Sequence, residues 1–136
     1  MQPSPSSYRA VVHSPPGTVD DAHDFLETVW RERPDIDAAE RMAIETALSE
    51  LVTNVIQNNP DRPVFCEVTL TVEPGVLVLQ TADTGDPLAE APAPSMPSAD
   101  AEHGRGLALI ELVADSLEYR HDGALNIWQV TKHRLR

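Results

Sequence analysis

Glu50 and Asn54 stand four residues apart in the run ALSELVTNVIQNN, a separation that puts both side chains on one face of a helix. There Glu50 can accept a proton from an attacking hydroxyl or water, and the Asn54 carbonyl oxygen can ligate magnesium. Polar pairs of this spacing are also common on solvated helix faces, so the pair acquires meaning only in company. A second group is Asp83-Thr84-Gly85. Its carboxylate can accept a hydrogen bond from an exocyclic amine and its glycine permits close approach of a ligand, although an ordinary turn has the same composition. The third is His103-Gly104-Arg105-Gly106-Leu107. Two glycines let the backbone come near phosphates, while the helix that follows aims unpaired N–H groups and its positive dipole end at them. Alone, such a Gly-x-Gly also marks plain helix entry.

These groups need elements to hold them. Asp37 with Glu40 forms a capping-box pattern, and Ile44, Ala47, Leu48, Leu51 and Val55 then make an apolar stripe that predicts a helix of about five turns, stopped by Asn58-Asn59-Pro60-Asp61. An earlier helix is predicted from Thr18 with Asp21, followed by Ala22, Phe25, Leu26 and Val29, and it should end near Pro34. Val64 to Val72 and Val76 to Thr81 read as an antiparallel hairpin turned at Glu73-Pro74-Gly75. Leu117 to Arg120 and Leu125 to Val130 read as a second, turned at Asp122-Gly123. Tyr8 to His13 reads as a short edge strand behind a Pro/Ser-rich, disordered tail at 1–7. Residues 86–103, rich in Pro and Ala and without a basic residue, read as a mobile loop, and Gly106 to Ala114 as a short buried helix opening at the glycines. This order predicts an α+β fold, a two-layer sandwich whose mostly antiparallel sheet is covered on one face by helices.

The totals agree with one domain, spanning 8–136, because 136 residues at 41% hydrophobic close a single core and leave no length for a second. A net charge of −12, from 22 acidic and 10 basic residues, repels a phosphate backbone and argues against direct nucleic-acid binding. A nucleotide is compatible with that charge where a metal and a helix end neutralise its phosphates. Apolar runs fall short of the ~18 residues that span a bilayer, and MQPSPSSYRA lacks the basic start and apolar run of an export signal, so a cytoplasmic location is expected. The single cysteine, Cys66, fits a reducing compartment and reads as a small buried hydrophobe. His13, His23, His121 and His133 show no metal-ligand spacing and read as surface or packed residues, and Trp30 and Trp128 as core or dimer-surface aromatics.

Taken in order, ALSELVTNVIQNN, TADTGDP and HGRGLALI resemble the N, G1 and G2 boxes of the histidine-kinase-like ATPase superfamily, with 86–103 in the place of its ATP lid. The resemblance runs from Tyr8 to Thr131. The E-x-x-x-N spacing of Glu50 and Asn54 and the compact Gly104-Arg105-Gly106-Leu107 are similar to the small anti-sigma factor serine/threonine kinases. That resemblance implies binding of ATP with Mg2+, sequestration of a sigma factor, phosphorylation of a STAS-domain anti-anti-sigma protein, and a homodimer. It also implies roles: Glu50 as general base, Asn54 as magnesium ligand, Asp83 as reader of the adenine amino group and Gly85 as the residue that admits the base. Gly104, Arg105 and Gly106 would sit near the phosphates, with Leu107 completing the nucleotide-contacting box. The chain departs from the pattern at Asn58, where a histidine is frequent, at Asp86, where a second glycine is usual, and at Pro87 in the lid entrance. Two other readings therefore stay open: a non-catalytic anti-sigma or STAS-binding module with a degenerate ATP site, and an ATP hydrolase without a protein substrate.

Overall fold

Val64, Cys66, Val68, Leu70 and Val72 are buried while Phe65, Glu67, Thr69 and Thr71 between them are not, the period-two pattern of a strand with one face on a core. The computed structural model describes residues 6–85 and 102–134, and for 102–106 it describes the backbone alone. The strands are β1 (Ser6–Ser14), β2 (Val64–Val72), β3 (Val76–Asp83), β4 (Ser116–Asp122) and β5 (Leu125–His133). They form one five-stranded sheet in the order β1-β2-β3-β5-β4, with every neighbouring pair antiparallel. The helices are α1 (Val19–Glu32), α2 (Ala38–Gln57) and α3 (Glu102–Val113). They pack on one face of the sheet, so the expected two-layer α+β sandwich is the observed fold.

Both expected capping boxes are present. The Thr18 hydroxyl and the Asp21 carboxylate satisfy backbone donors at the start of α1, and Asp37 and Glu40 do so for α2, at 2.7 and 3.0 Å. In α2, Ala43, Ile44, Ala47, Leu48, Leu51, Val52 and Val55 are buried, a stripe broader than a surface helix needs. The breadth follows from its position: α2 lies between α1 and α3 and also touches β2, β3 and β5. Each large apolar side chain so buried stabilises the fold by roughly 1.5–3 kcal/mol. Arg41 ties the end of α1 to the start of α2. Its guanidinium donates to the carbonyls of Trp30, Arg33 and Ile36 and lies 5.5 Å from the Trp30 ring centre.

Several boundaries differ from the sequence expectation. β1 begins at Ser6, so Ser6 and Ser7, expected in the tail, pair with Val72 and Thr71. β3 runs on to Asp83, which makes that residue the end of a strand. α3 starts at Glu102, placing Gly104 and Gly106 inside its first turns instead of ahead of it. Glycine lowers helix propensity by about 1 kcal/mol, which is why the start was expected later. The remainder of the expected lid, through residue 101, lies outside the described residues. At the second hairpin the two loop residues are Gly123 and Ala124, and Gly123 adopts φ 63°, a value only glycine takes readily.

An ion-pair cluster centred on the buried pair Arg134 and Glu40 closes the domain. Arg134, 6% exposed, donates to Glu40 at 3.2 Å, to the Glu73 carbonyl at 3.0 Å, and to the Asp35 carbonyl and carboxylate at 3.0 and 3.1 Å. Arg33 and Arg134 together hold the Asp35 carboxyl well below the usual carboxylate range, Arg33 contributing more. Removing one member of such a cluster strands the other charge. Arg134→Ala should therefore lower unfolding stability by about 3 kcal/mol in urea denaturation at neutral pH, since it leaves Glu40 buried without its cation.

Candidate functional site

Residues directly opposite one another in a sheet share a face. The register therefore lines up Val12, Cys66, Asp83, Asn126 and His121 in one row across all five strands, on the side that bears the helices. Asp83 lies in the middle of that row and is 3% exposed. A carboxylate so placed must be hydrogen-bonded. Its Oδ1 accepts from the Gly85 backbone N–H at 2.9 Å and from Asn126 Nδ2 at 3.0 Å. Both bonds end on Oδ1, which leaves Oδ2 as the oxygen available to the pocket that Asp83 lines.

Burial pushes the Asp83 carboxyl above its ordinary pKa, and the bonds from Asn126 and Gly85 pull it back toward ionisation. Neighbouring Cys66 is buried and, by that burial and by the Asp83 charge, has its thiol pushed up to about 12, so it stays a neutral packing group.

The pocket measures about 80 Å3. Leu51, Asn54, Val55, Asn58 and Asn59 line it from α2 and the turn after it, Leu107 from α3, and Tyr119, Asn126 and Trp128 from the closing hairpin. At 10–15 Å3 for each water-sized group it holds about half a dozen, the size of a single ring. Apolar walls with a few convergent polar atoms are the usual make-up of a ligand site.

Of the candidate site residues named from the sequence, Asn54, Asp83 and Leu107 come together around this pocket, with Asn58 and Trp128 beside them. Gly85 is buried beside them, for a reason of packing: a Cβ there would meet Asn59 Nδ2 at 2.5 Å and Asp83 Oδ1 at 3.0 Å. Gly104, Arg105 and Gly106 belong to the helical backbone immediately before Leu107. Glu50 is half-buried on α2, one turn before Asn54, and does not line the pocket. Among the described residues no three His, Cys, Asp or Glu side chains gather into a metal centre. Magnesium takes few ligands from protein and the rest from phosphate and water, and the Asn54 amide oxygen fits that part.

Sequence reasoning missed Asn126, Tyr119 and Asn59. Asn126 donates to Asp83 Oδ1 at 3.0 Å, and its signal was compositional, because asparagine is depleted in strands and this one interrupts Leu125 to Val130. His121, read as a surface or packed residue, hydrogen-bonds Asn126 Oδ1 at 3.3 Å. Asn59 is buried and donates to the Val55 carbonyl at 2.8 Å, a side-chain cap on the end of α2.

A family model for the histidine kinase-like ATPase domain matches residues 12–132, and the chain belongs to that family. Among solved structures, the Acinetobacter baumannii histidine kinase AdeS is similar at a TM-score of 0.51 and 15% identity, over 98% of this chain and 68% of that one. At that identity the likeness is one of fold. The comparison with curated proteins matched nothing. No described helix is long and apolar enough to cross a membrane.

The buried carboxylate yields a pH-dependent prediction. Because its folded-state pKa is raised, the stability linked to Asp83 is fully present below the unfolded carboxylate value of about 3.9 and is lost as pH rises through the folded value. Asp83→Asn keeps an oxygen for Gly85 and Asn126 and turns the pocket-facing atom into a donor. The ligand-free variant should melt above the wild type at pH 7, the difference should vanish below about pH 4, and ATP binding should fall at least about tenfold. Melting curves across pH and titration calorimetry check the two halves.

Proposed function

We propose that this chain is an ATP-dependent serine/threonine kinase of the anti-sigma type, which phosphorylates a STAS-domain anti-anti-sigma protein and sequesters a sigma factor. The observation that carries the nucleotide reading is the Asp83 carboxylate, bonded through Oδ1 alone and lining a ring-sized pocket between α2, α3 and the closing hairpin. Membership of the histidine kinase-like ATPase family supports ATP as the ligand. The kinase specificity, the partners and a homodimer rest on the resemblance of the E-x-x-x-N and Gly-Arg-Gly-Leu motifs, and a cytoplasmic location on the short apolar runs and the single cysteine.

In this reading the Asp83 Oδ2 accepts from the amino group of the base, and Leu51, Val55, Leu107 and Trp128 wall the ring. The Asn54 carbonyl oxygen holds magnesium. The opening turn of α3, which begins at Glu102 and runs on into Gly104, Arg105 and Gly106, offers its first, unpaired backbone N–H groups to phosphate. Bound ATP supplies the phosphoryl group, and the protein's contribution is position and charge stabilisation. Glu50 then takes the proton from the partner's hydroxyl.

The departures from the family pattern at Asn58 and Asp86 support a second reading, in which the fold binds a sigma factor or a STAS protein without phosphotransfer. Two variants separate them. Asn54→Ala should weaken Mg-ATP binding about tenfold or more, read by titration calorimetry without any partner. Glu50→Ala should leave ATP affinity within about twofold and lower phosphotransfer by about 100-fold or more. Equal loss of binding and transfer in Glu50→Ala contradicts its role as base, and absence of binding by the wild type at millimolar nucleotide moves the conclusion to the sequestering module.

A further inference from the structure

Asn126 is engaged on both sides of its amide. The two N–H groups donate to Asp83 Oδ1 at 3.0 Å and to the Gly85 carbonyl at 2.9 Å. The carbonyl oxygen accepts from the Tyr119 hydroxyl at 2.7 Å and is met by His121 Nδ1 at 3.3 Å. A carboxylate and a carbonyl can only accept, so partner chemistry fixes which end of the amide points where. The Tyr119 hydroxyl is in turn held in place by its ring, tilted at 46° against Trp128 with centroids 4.6 Å apart. The consequence reaches Asp83: with Oδ1 clamped by Gly85 and Asn126, its carboxylate cannot turn.

Resting on the ATP-site reading, we propose that Tyr119 and Asn126 are positioning residues that set the pocket's base specificity. They hold Asp83 so that Oδ2 is a fixed acceptor, which admits a 6-amino purine and rejects a 6-oxo purine. A 6-oxo purine places a carbonyl oxygen where the amino group would sit, and two acceptors then face each other without a proton. It does offer an N–H at the adjacent ring position. A carboxylate free to rotate would find that N–H, whereas one clamped through Oδ1 does not. Rejection thus comes from rigidity supplied by β5 and β4, one and two strands beyond the residue that touches the base.

The test is titration calorimetry of the full chain with Mg-ATP and with Mg-ITP, the 6-oxo analogue, for the wild type, Asn126→Ala and Tyr119→Phe. The wild type should prefer ATP by at least about tenfold, the worth of one well-placed buried hydrogen bond. Asn126→Ala should bring the ratio close to unity, and Tyr119→Phe should lower it severalfold. A loss of affinity equal for both nucleotides, with the ratio unchanged in either variant, overturns the proposal, because a merely structural role predicts that outcome. Equal binding of ATP and ITP by the wild type also overturns it while leaving the nucleotide site in place. If the wild type binds neither, the nucleotide reading itself fails and the proposal with it. Should melting curves show that Asn126→Ala does not fold, the ratio in Tyr119→Phe decides.

Discussion

A carboxylate that is 3% exposed makes demands on everything near it, and the arrangement around Asp83 is the answer to those demands. Its donors come from two directions: the backbone of Gly85, two residues on, and the side chain of Asn126 on the neighbouring strand. Gly85 serves only because it lacks a Cβ, since Asn59 occupies that space. Asn126 is held at its other end by Tyr119, with His121 beside it. The site is therefore a chain of mutual dependence across β3, β5 and β4. Burial still disfavours the charged form, which is the usual mark of a group kept for binding and not for stability.

The second support is α2. Its broad apolar stripe fixes the helix against the sheet and between its two neighbours, so its rotation is not free. With that rotation fixed, Asn54 lines the pocket at one edge of the stripe, and Asn58 and Asn59 follow at the helix end. Tethers at the other end keep the helix from sliding: the Asp37–Glu40 capping box, the Arg41 bonds to α1 carbonyls and the Arg134 cluster all act within its first turns.

What the sequence disclosed follows how local each signal is. The two capping boxes, the α2 stripe and both hairpins depend on residues within a few positions of each other, and they were legible. The row that makes the site was not, because it joins residues 12, 66, 83, 126 and 121 through register, which only the folded sheet defines. The Asp-x-Gly pattern singles out Asp83 but sets it just beyond a strand ending at Thr81, whereas it closes that strand. Asn126 was passed over inside an apolar run. Residues Gly104 and Gly106 suggested a break in structure, yet the helix extends through them to Glu102, where tertiary packing of Leu107 and Ile110 outweighs their low propensity. Arg134 carried no pattern at all, since its partners Glu40 and Asp35 precede it by 94 and 99 residues.

That separation bears on how the chain comes to be folded. Loop closure over so many residues is costly in entropy and slow to be repaid, so contacts of this kind form late. As the chain leaves the ribosome, α1, α2 and the β2–β3 hairpin can associate early, but β5 must arrive before β3 has its second neighbour, and Arg134 follows it. Until then Glu40 sits at the head of α2 without its cation, and the edge of β3 is an open template for another strand. The docking of the last strand thus completes the binding site, neutralises the helix start and covers the exposed edge in one event.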